Sequence, residues 1–209
     1  MFDKVKTLLI ENQTLTRLGI KAVLAGTDDI ELVGEVNNGA DGLRTFGEIK
    51  PDVTILGLRF PDSCTIDDLD NYFVTTPKAK IIVLAEHAGD AEITRALKKG
   101  ALGYICKDVE PAELLKAIRT VNAGSKYIPA EIAEILSEHI GSEALTATEE
   151  NVLRMIVGGM SNKEIAFALD NSENTIKTHI QNIFSKIGVS DRTSAATTAI
   201  KRGLVRVDL

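Results

Sequence analysis

The first half of the chain alternates short apolar segments with segments whose apolar residues recur every three or four positions. The apolar segments are typical of buried strands and cover residues 5–10, 30–36, 52–57, 80–85 and 102–106. The intervening segments have the period of amphipathic helices; the third, within residues 65–76, has the weakest pattern and is expected to be short. Strict alternation of strand and helix requires right-handed crossovers and parallel strands. The sequence therefore predicts a five-stranded, parallel, doubly wound α/β domain.

From Leu145 onward the pattern is helical throughout. Residues 146–149 and 161–164 have the spacing of a capping box, in which Thr or Ser and a Glu three positions later satisfy each other's backbone N–H groups. Ser172 offers a third cap, and a fourth helix is expected within residues 190–203. Four short helices joined by tight turns predict an all-α helix-turn-helix unit.

A connector joins the two halves. Pro129 suits a helix start, and an apolar stripe follows it at Ile132, Ile135, Leu136 and Ile140. We expect a linker helix flanked by flexible glycines at residues 124 and 141. The predicted domains are therefore an α/β domain over residues 1–124, a linker over 125–144 and a helix-turn-helix domain over 145–209.

Composition excludes several classes of function. No apolar run is long enough to span a bilayer and no signal-peptide cleavage site is present, so we expect a cytoplasmic location and no membrane partner. The two cysteines and three histidines lack metal-ligand spacing, so we expect no metal, no cofactor and no disulfide framework. The chain has no nucleophile–base pair or phosphate-binding glycine loop, so we expect no catalytic residues and no enzyme.

Residues 172–188 combine one apolar helix face with an amide-rich and hydroxyl-rich one. The apolar face carries Ile176, Ile180, Ile183 and Ile187. The opposite face carries Asn174, Thr178, Gln181 and Ser185, with lysines on its flanks. Gln and Asn pair with adenine in the major groove, a Thr methyl contacts thymine, and lysines suit phosphates. Residues 145–209 carry 8 Lys and Arg against 7 Asp and Glu, whereas residues 1–144 carry 16 against 23.

Residues 145–203 closely resemble the LuxR-type helix-turn-helix of bacterial transcription regulators, through SNKEIA, TIKTH and KIGVSDR. The resemblance implies a scaffold helix at 161–170, a recognition helix at 172–187 and a dimerisation helix at 190–202. The residues predicted to face base edges are Lys177, Thr178 and Gln181, with Asn174 on the same face. Those predicted to position the DNA backbone or the helix are Lys163, Thr175, His179, Asn182 and Lys186. His179 has an alternative as a partly buried packing or capping residue.

Residues 1–124 resemble the receiver domain of NarL/FixJ-group response regulators, through the five strands, PDVTIL, an RFP turn and GYICKD. Such a receiver accepts a phosphoryl group on an aspartate at the end of its third strand. An acidic pair after the first strand helps that aspartate to hold magnesium, a Ser or Thr after the fourth reports the phosphoryl group, and a lysine after the fifth contacts it. The matching positions in this chain are Glu11, Asn12, Gly57, Ala85 and Lys107, with Tyr104 at the aromatic switch position.

Three parts of this switch are changed. Glycine has no nucleophile, so no aspartyl phosphate can form at residue 57. Magnesium needs hard oxygen ligands, and Asn12 supplies a neutral carbonyl in place of a carboxylate. Ala85 has no hydroxyl. We therefore expect a degenerate pocket that is inactive in phosphorylation, and neither Asp52, at the other end of the strand, nor Asp62, in the following loop, is an easy substitute.

Three possibilities are open for the pocket around Lys107. The favoured one is a salt bridge to Glu11. The second is the binding of a small anion or metabolite by Lys107 and Asn12. The third makes Cys64 and Cys106 a redox pair near this edge of the sheet.

Two functions follow from these features. The leading hypothesis is a regulator that binds double-stranded DNA as a homodimer, without phosphorylation, and whose receiver-like half contacts a partner protein or a small ligand. Two recognition helices would then read half-sites about one helical turn apart. The alternative is an adaptor or ligand-sensing protein that binds another regulator or a kinase instead of DNA.

Overall fold

The structure is a computed structural model, and it describes residues 3–61, 63–87, 89–138 and 143–205. The chain divides into two compact units. The first comprises Met1–Ala88 and Ile93–Glu134, and the second comprises Gly89–Glu92 and Ile135–Leu209. The predicted fold class, an α/β domain with a helical domain, is confirmed. The exact domain limits stay predictions, and Ile140 and Gly141 of the connector lie outside the described residues.

A parallel five-stranded sheet forms the centre of the first unit. The described residues contain seven strands, numbered along the chain: β1 (Val5–Ile10), β2 (Ile30–Val36), β3 (Val53–Gly57), β4 (Arg59–Phe60), β5 (Ser63–Cys64), β6 (Ile81–Ala85) and β7 (Gly103–Cys106). Five of them form the central sheet, and β4 and β5 form a separate hairpin. The strand order in the central sheet is β2-β1-β3-β6-β7, with β3 in the middle. All five predicted strands are confirmed to within one residue. The separate antiparallel hairpin of β4 and β5 was not predicted, because two-residue strands leave no periodic pattern.

Five helices connect or follow these strands. They are α1 (Thr14–Ala25), α2 (Gly39–Ile49), α3 (Thr65–Thr75), α4 (Asp90–Lys98) and α5 (Pro111–Asn122). The expectation that α3 is short was wrong, since its 11 residues equal those of α2. Ile66, Leu69 and Tyr72 of α3 are buried at a spacing of three, and the acidic residues between them obscured this face in the sequence.

The sheet buries both of its faces. Leu9, Ile55 and Ile105 point to one face and pack in one hydrophobic cluster with residues of α1 and α5. The neighbouring positions Leu8 and Leu56 are equally inaccessible, at 0% and 1% exposure, although they point the other way. Each such side chain contributes about 1.5–3 kcal/mol by leaving water. Two-sided burial explains why the strands read as continuous apolar runs.

The second unit contains short capped helices. Helix α6 (Ala130–Glu138) begins in the first unit and ends in the second, and the helices that follow it in the second unit are α7 (Ala147–Val157), α8 (Asn162–Ala168), α9 (Glu173–Ile187) and α10 (Arg192–Lys201). Both predicted capping boxes are confirmed, at Thr146 with Glu149 and at Ser161 with Glu164. The predicted linker helix and the fourth helix of the tail are confirmed as α6 and α10. Among the described residues, no helix combines the length and hydropathy needed to cross a membrane.

Candidate nucleic-acid interface and the pocket at the sheet edge

Helix α9 has one apolar face and one polar face. Its core-facing side chains are at most 8% exposed, and they are Ile176, Ile180, Ile183 and Ile187. Ser172 begins the helix by accepting a hydrogen bond from the Thr175 N–H at 3.1 Å. Gly188 ends it at φ 72°, in the left-handed region that favours glycine. The predicted isoleucine face is therefore confirmed, and its burial determines which side chains point outward.

The opposite side of α9 is exposed. The exposed side chains there include Asn174, Lys177, Thr178, Gln181 and Asn182. In the part of the chain that the structure describes, Lys177 and Gln181 form no hydrogen bond or ion pair. The Thr178 hydroxyl donates to the Asn174 carbonyl at 3.1 Å, so its methyl group remains for apolar contact. The structure thus brings together the three side chains predicted to face base edges.

Thr175 and His179 are half-buried on the flank of α9. The hydroxyl of Thr175 lies 2.8 Å from that of Ser172, so Thr175 takes part in the helix cap. The partial burial of His179 agrees with its alternative as a packing residue. Both side chains are therefore better suited to orienting the helix than to reading bases.

The predicted phosphate contact Lys163 is exposed in the first turn of α8. The start of this helix is fixed twice. Ser161 and Glu164 form its capping box, and the hydrogen bonds from Ser161 lower the pKa of Glu164. The guanidinium of Arg192, on α10, donates to the Asn162 side chain at 3.3 Å and also to the Met160 carbonyl. Sequence reasoning did not identify Arg192, whose partner lies 30 positions away.

Phe167 is an exposed aromatic residue that sequence reasoning missed. It is 91% exposed and lies one turn from Lys163 on α8. The helical period could have predicted this exposure, because Phe167 is about 200° around the helix from the buried Ile165. The surface beside the predicted phosphate contact is therefore partly apolar.

Lys186, at the end of α9, is engaged within the second unit. Its side chain is 13% exposed, and Nζ lies 2.9 Å from a carboxylate oxygen of Glu149 and 3.5 Å from one of Glu143. The hydrogen bond with Glu149 raises the pKa of Lys186. Burial alone would raise the pKa of Glu149, but hydrogen bonds from Thr146 and Lys186 outweigh it and lower that pKa. Of its two predicted roles, Lys186 is placed to position the helix.

The carboxyl ends of the sheet strands gather the other predicted group of residues. Glu11 follows β1, Gly57 ends β3, Ala85 ends β6 and Lys107 follows β7. The Lys107 N–H donates to the Ala85 carbonyl at 2.7 Å. Asn12, Ala85 and Lys107 also line a small cavity of about 90 Å³.

The predicted salt bridge between Glu11 and Lys107 is confirmed. The Lys107 ammonium lies 2.9 Å from Oε1 of Glu11, whose side chain is fully buried, while Lys107 is 15% exposed. Arg17 fixes the backbone here by donating to the carbonyls of Glu11 and Asn12, both at 2.9 Å. The residues that follow the first and fifth sheet strands are thereby joined by their own side chains.

Tyr104 does not line this cavity. Its ring is fully buried, and its hydroxyl donates to the His87 carbonyl at 3.3 Å. The predicted aromatic switch residue is thus packed inside the first unit.

The remaining acids and thiols offer little alternative chemistry. Asp52 accepts a hydrogen bond from the Lys6 N–H at 2.8 Å, at the opposite end of β3, and Asp62 lies outside the described residues. Cys64 is buried and Cys106 is half-buried, and neither forms a disulfide among the described residues. Burial, with the nearby Asp108, raises the pKa of Cys106, which reduces its thiolate fraction. Among the described residues, no cluster of His, Cys, Asp and Glu could hold a metal ion.

Two family models match the chain. Residues 7–119 match the response regulator receiver domain. Residues 143–199 match the GerE model, described as bacterial regulatory proteins of the luxR family. Together the two matches span both units.

Known proteins are similar to the chain over most of its length. It is 35% identical over 209 residues to the transcriptional regulatory protein LiaR of Bacillus subtilis (strain 168), covering 96% of this chain and 99% of LiaR. It is 31% identical over 198 residues to the nitrate/nitrite response regulator protein NarL of Escherichia coli (strain K12), covering 90% of this chain and 92% of NarL. A structure of RcsB from Salmonella enterica serovar Typhimurium, bound to a promoter, matches with a TM-score of 0.76 at 22% identity, covering 94% of this chain and 98% of that one. The last likeness concerns the fold alone.

Proposed function

The chain belongs to the LuxR/NarL family of response regulators, with a receiver domain and a GerE-type helix-turn-helix domain, and we propose that it is a sequence-specific DNA-binding transcription regulator that acts without aspartyl phosphorylation. The observation that carries the DNA-binding part is the exposed side of α9, where Lys177 and Gln181 have no hydrogen bond or ion pair with any described residue. The observation that carries the second part is a glycine at the end of β3.

The chemistry of α9 supports recognition of duplex DNA. Lys163 is an exposed cation suited to phosphates, whose contacts supply most of the sequence-independent affinity. Lys177, predicted to face base edges, is also an exposed cation on the flank of the polar face of α9, and we assign its ammonium to a phosphate instead. Gln181 and Thr178 are exposed on the same helix as Lys177, and their amide and methyl groups can distinguish base pairs in the major groove. LiaR is named as a transcriptional regulatory protein and NarL as a nitrate/nitrite response regulator protein, and the RcsB chain of similar fold is bound to a promoter.

Three positions of the receiver pocket support independence from phosphate. Gly57 offers no nucleophile to a phosphodonor. Ala85 is 1% exposed and has no hydroxyl to contact a phosphoryl oxygen. The donors do not fit magnesium either, because Asn12 is neutral, the carboxylate of Glu11 is already paired with Lys107, and Glu86 is largely exposed. The proposed function therefore requires neither a bound metal nor a catalytic reaction.

A homodimer on double-stranded DNA completes the proposal. Two α9 helices related by a two-fold axis would read half-sites about one helical turn apart. RcsB, whose fold is similar, has been described as dimers bound to DNA. Two small residues of α10, Ala195 and Ala199, pack inside their own unit, where they are fully buried in its core. The surface that α10 leaves for a second copy is formed by Thr193, Thr197 and Ile200.

The adaptor alternative has less support. A protein that only captured another regulator or a kinase would have no use for an exposed lysine and amide on α9. In place of phosphate, we propose that a partner protein or a small ligand acts at the receiver domain.

Selection of duplexes from a random pool by the untreated full chain tests the DNA-binding part. We expect an enriched sequence, bound more tightly than its scrambled version. Its affinity should fall steeply with salt: a plot of the logarithm of the binding constant against the logarithm of the salt concentration should have a slope of about −0.9 for each phosphate neutralised. No enrichment together with no salt-dependent binding would favour the adaptor.

A further inference from the structure

We infer that the carboxylate of Glu11 occupies the position of the side chain that residue 57 lacks, so that the pocket is filled from within. A Cβ built on Gly57 would overlap Oε2 of Glu11. Glu11 Cδ and the Ile10 carbonyl oxygen each lie 3.3 Å from the same point. The inference rests on the proposed function, since it explains what replaces the phosphate-accepting group in this receiver.

The carboxylate is held where it is. Glu11 is fully buried, and its Oε1 accepts hydrogen bonds from the Gln13 N–H at 2.8 Å and from Lys107 at 2.9 Å. Both bonds hold Oε1, which leaves Oε2 directed at Gly57. Among the described residues, Oε2 has no hydrogen-bond partner. A buried oxygen without a partner costs free energy, so its placement over Gly57 is maintained by the bonds to Oε1 and by the absence of a side chain there.

The present position of Glu11 and any side chain at residue 57 therefore exclude each other. A Cβ at residue 57 would force the Glu11 carboxylate to turn away, and this would break its pair with Lys107. Among the described residues, Glu86 is the other acid within 4 Å of the Lys107 ammonium; it is 3.9 Å away and 55% exposed, and an exposed pair at that distance contributes little. Residues 11, 57 and 107 thus form one coupled unit, in which a fixed internal anion holds the lysine.

A double-mutant cycle on the full chain tests this coupling. The four proteins are the unchanged chain, Gly57→Ala, Glu11→Ala and the double variant, and the readout is native-state hydrogen exchange of the β1 and β3 amides. When Glu11 is present, Gly57→Ala should lower protection about tenfold or more, because it overpacks a buried site. In the Glu11→Ala background, the same change should leave protection unchanged or raise it up to about fivefold, because Gly57 does not have a positive φ and alanine restricts the unfolded chain.

Gly103→Ala is the matched control. Gly103 begins β7 of the same sheet, and a Cβ there would meet Ile82 at 3.1 Å and no atom of Glu11. Its effect on protection should be the same with Glu11 present and in the Glu11→Ala background. Acetylation of Lys107, followed by mass spectrometry, provides a second readout: Gly57→Ala should make this amine react faster, whereas Gly103→Ala should not.

Every outcome decides the inference. An effect of Gly57→Ala that is lost or reversed in the Glu11→Ala background supports it, and so does a Gly57→Ala chain that fails to fold while the double variant folds. Equal effects in the two backgrounds would overturn it. Failure of both the single Gly57→Ala variant and the double variant to fold would also overturn it, because overpacking would then be independent of Glu11. The proposed function is judged separately by DNA binding of the unchanged chain, which does not depend on the result of the cycle.

Discussion

At the scale of single residues, two groups of side chains carry the proposed function: those of α9 that point outward and those that meet beside Gly57. The sequence predicted the first group but not how the second is arranged. The isoleucine spacing is sufficient for the first, since a buried face determines the opposite one. The resemblance to receiver domains identified Gly57 and Lys107 and led to the predicted Glu11–Lys107 pair, now found at 2.9 Å. It could not place Oε2 of Glu11 over Gly57, because that position depends on a side-chain conformation set by Gln13 and Lys107.

Gln181→Ala should change which sequence is preferred. Because the exposed amide is assigned to one base pair, its loss should remove about 1–3 kcal/mol of discrimination at one position of the enriched duplex. Competition binding against duplexes changed at each position in turn measures this. Ser185→Ala is the matched control, since Ser185 is exposed one turn further along α9 and has no assigned base. Uniform weakening on all duplexes would contradict the assignment of Gln181.

At the scale of elements, most boundaries followed from local chemistry, whereas contacts between helices did not. The capping boxes of α7 and α8 depend on residues three positions apart, and both were predicted. Lys186 pairs with Glu149, which is 37 positions away, so the sequence left its role open between backbone contact and helix positioning. This pair joins the end of α9 to the first turn of α7 and thereby orients the predicted recognition helix.

Lysine substitutions on α9 should separate these two roles. Lys177→Met should weaken binding to all duplexes alike and reduce the salt slope by about one for each bound protomer, because a phosphate contact is lost. Lys186→Met should leave the salt slope unchanged, because the Lys186 ammonium is paired with Glu149 and not with a phosphate. It should lower the stability of the second unit, because that ion pair is lost. Titrations at several salt concentrations, with thermal unfolding of each variant, measure both effects. A reduced slope for Lys186→Met would assign it to phosphate instead.

The stabilising effect of Lys186 should depend on pH. The pKa of Glu149 is below its ordinary 4.5 in the folded chain, so its charged form stabilises the fold above that pH and this contribution is lost as the pH falls through the lowered pKa. The pKa of Lys186 is above its ordinary 10.5, so its contribution persists until the pH rises beyond that value. The stability difference between the unchanged chain and Lys186→Met should therefore be constant near neutral pH and shrink below pH 4.5. A difference that stays constant in acid would contradict a role through Glu149.

At the scale of the whole molecule, the chain combines a receiver domain with a DNA-binding domain, and its sequence predicted both. Alternation of strands and helices was sufficient for the α/β fold of the first domain, and the resemblance in PDVTIL and GYICKD identified it as a receiver. Capped helices with the family motifs were sufficient for the second domain. The sequence could not reveal the β4–β5 hairpin or the burial of Ala195 and Ala199 in their own unit, since both depend on packing that leaves no periodic pattern. The central claim is that the receiver domain retains its scaffold and works without a transferable phosphate.

The most direct test measures affinity for the enriched duplex before and after treatment with a small phosphodonor and Mg²⁺, with intact mass recorded on the same samples. We predict tight binding by untreated protein, no change in affinity after treatment and no acid-labile gain in mass. A gain in affinity that accompanies an acid-labile mass increase would contradict the account.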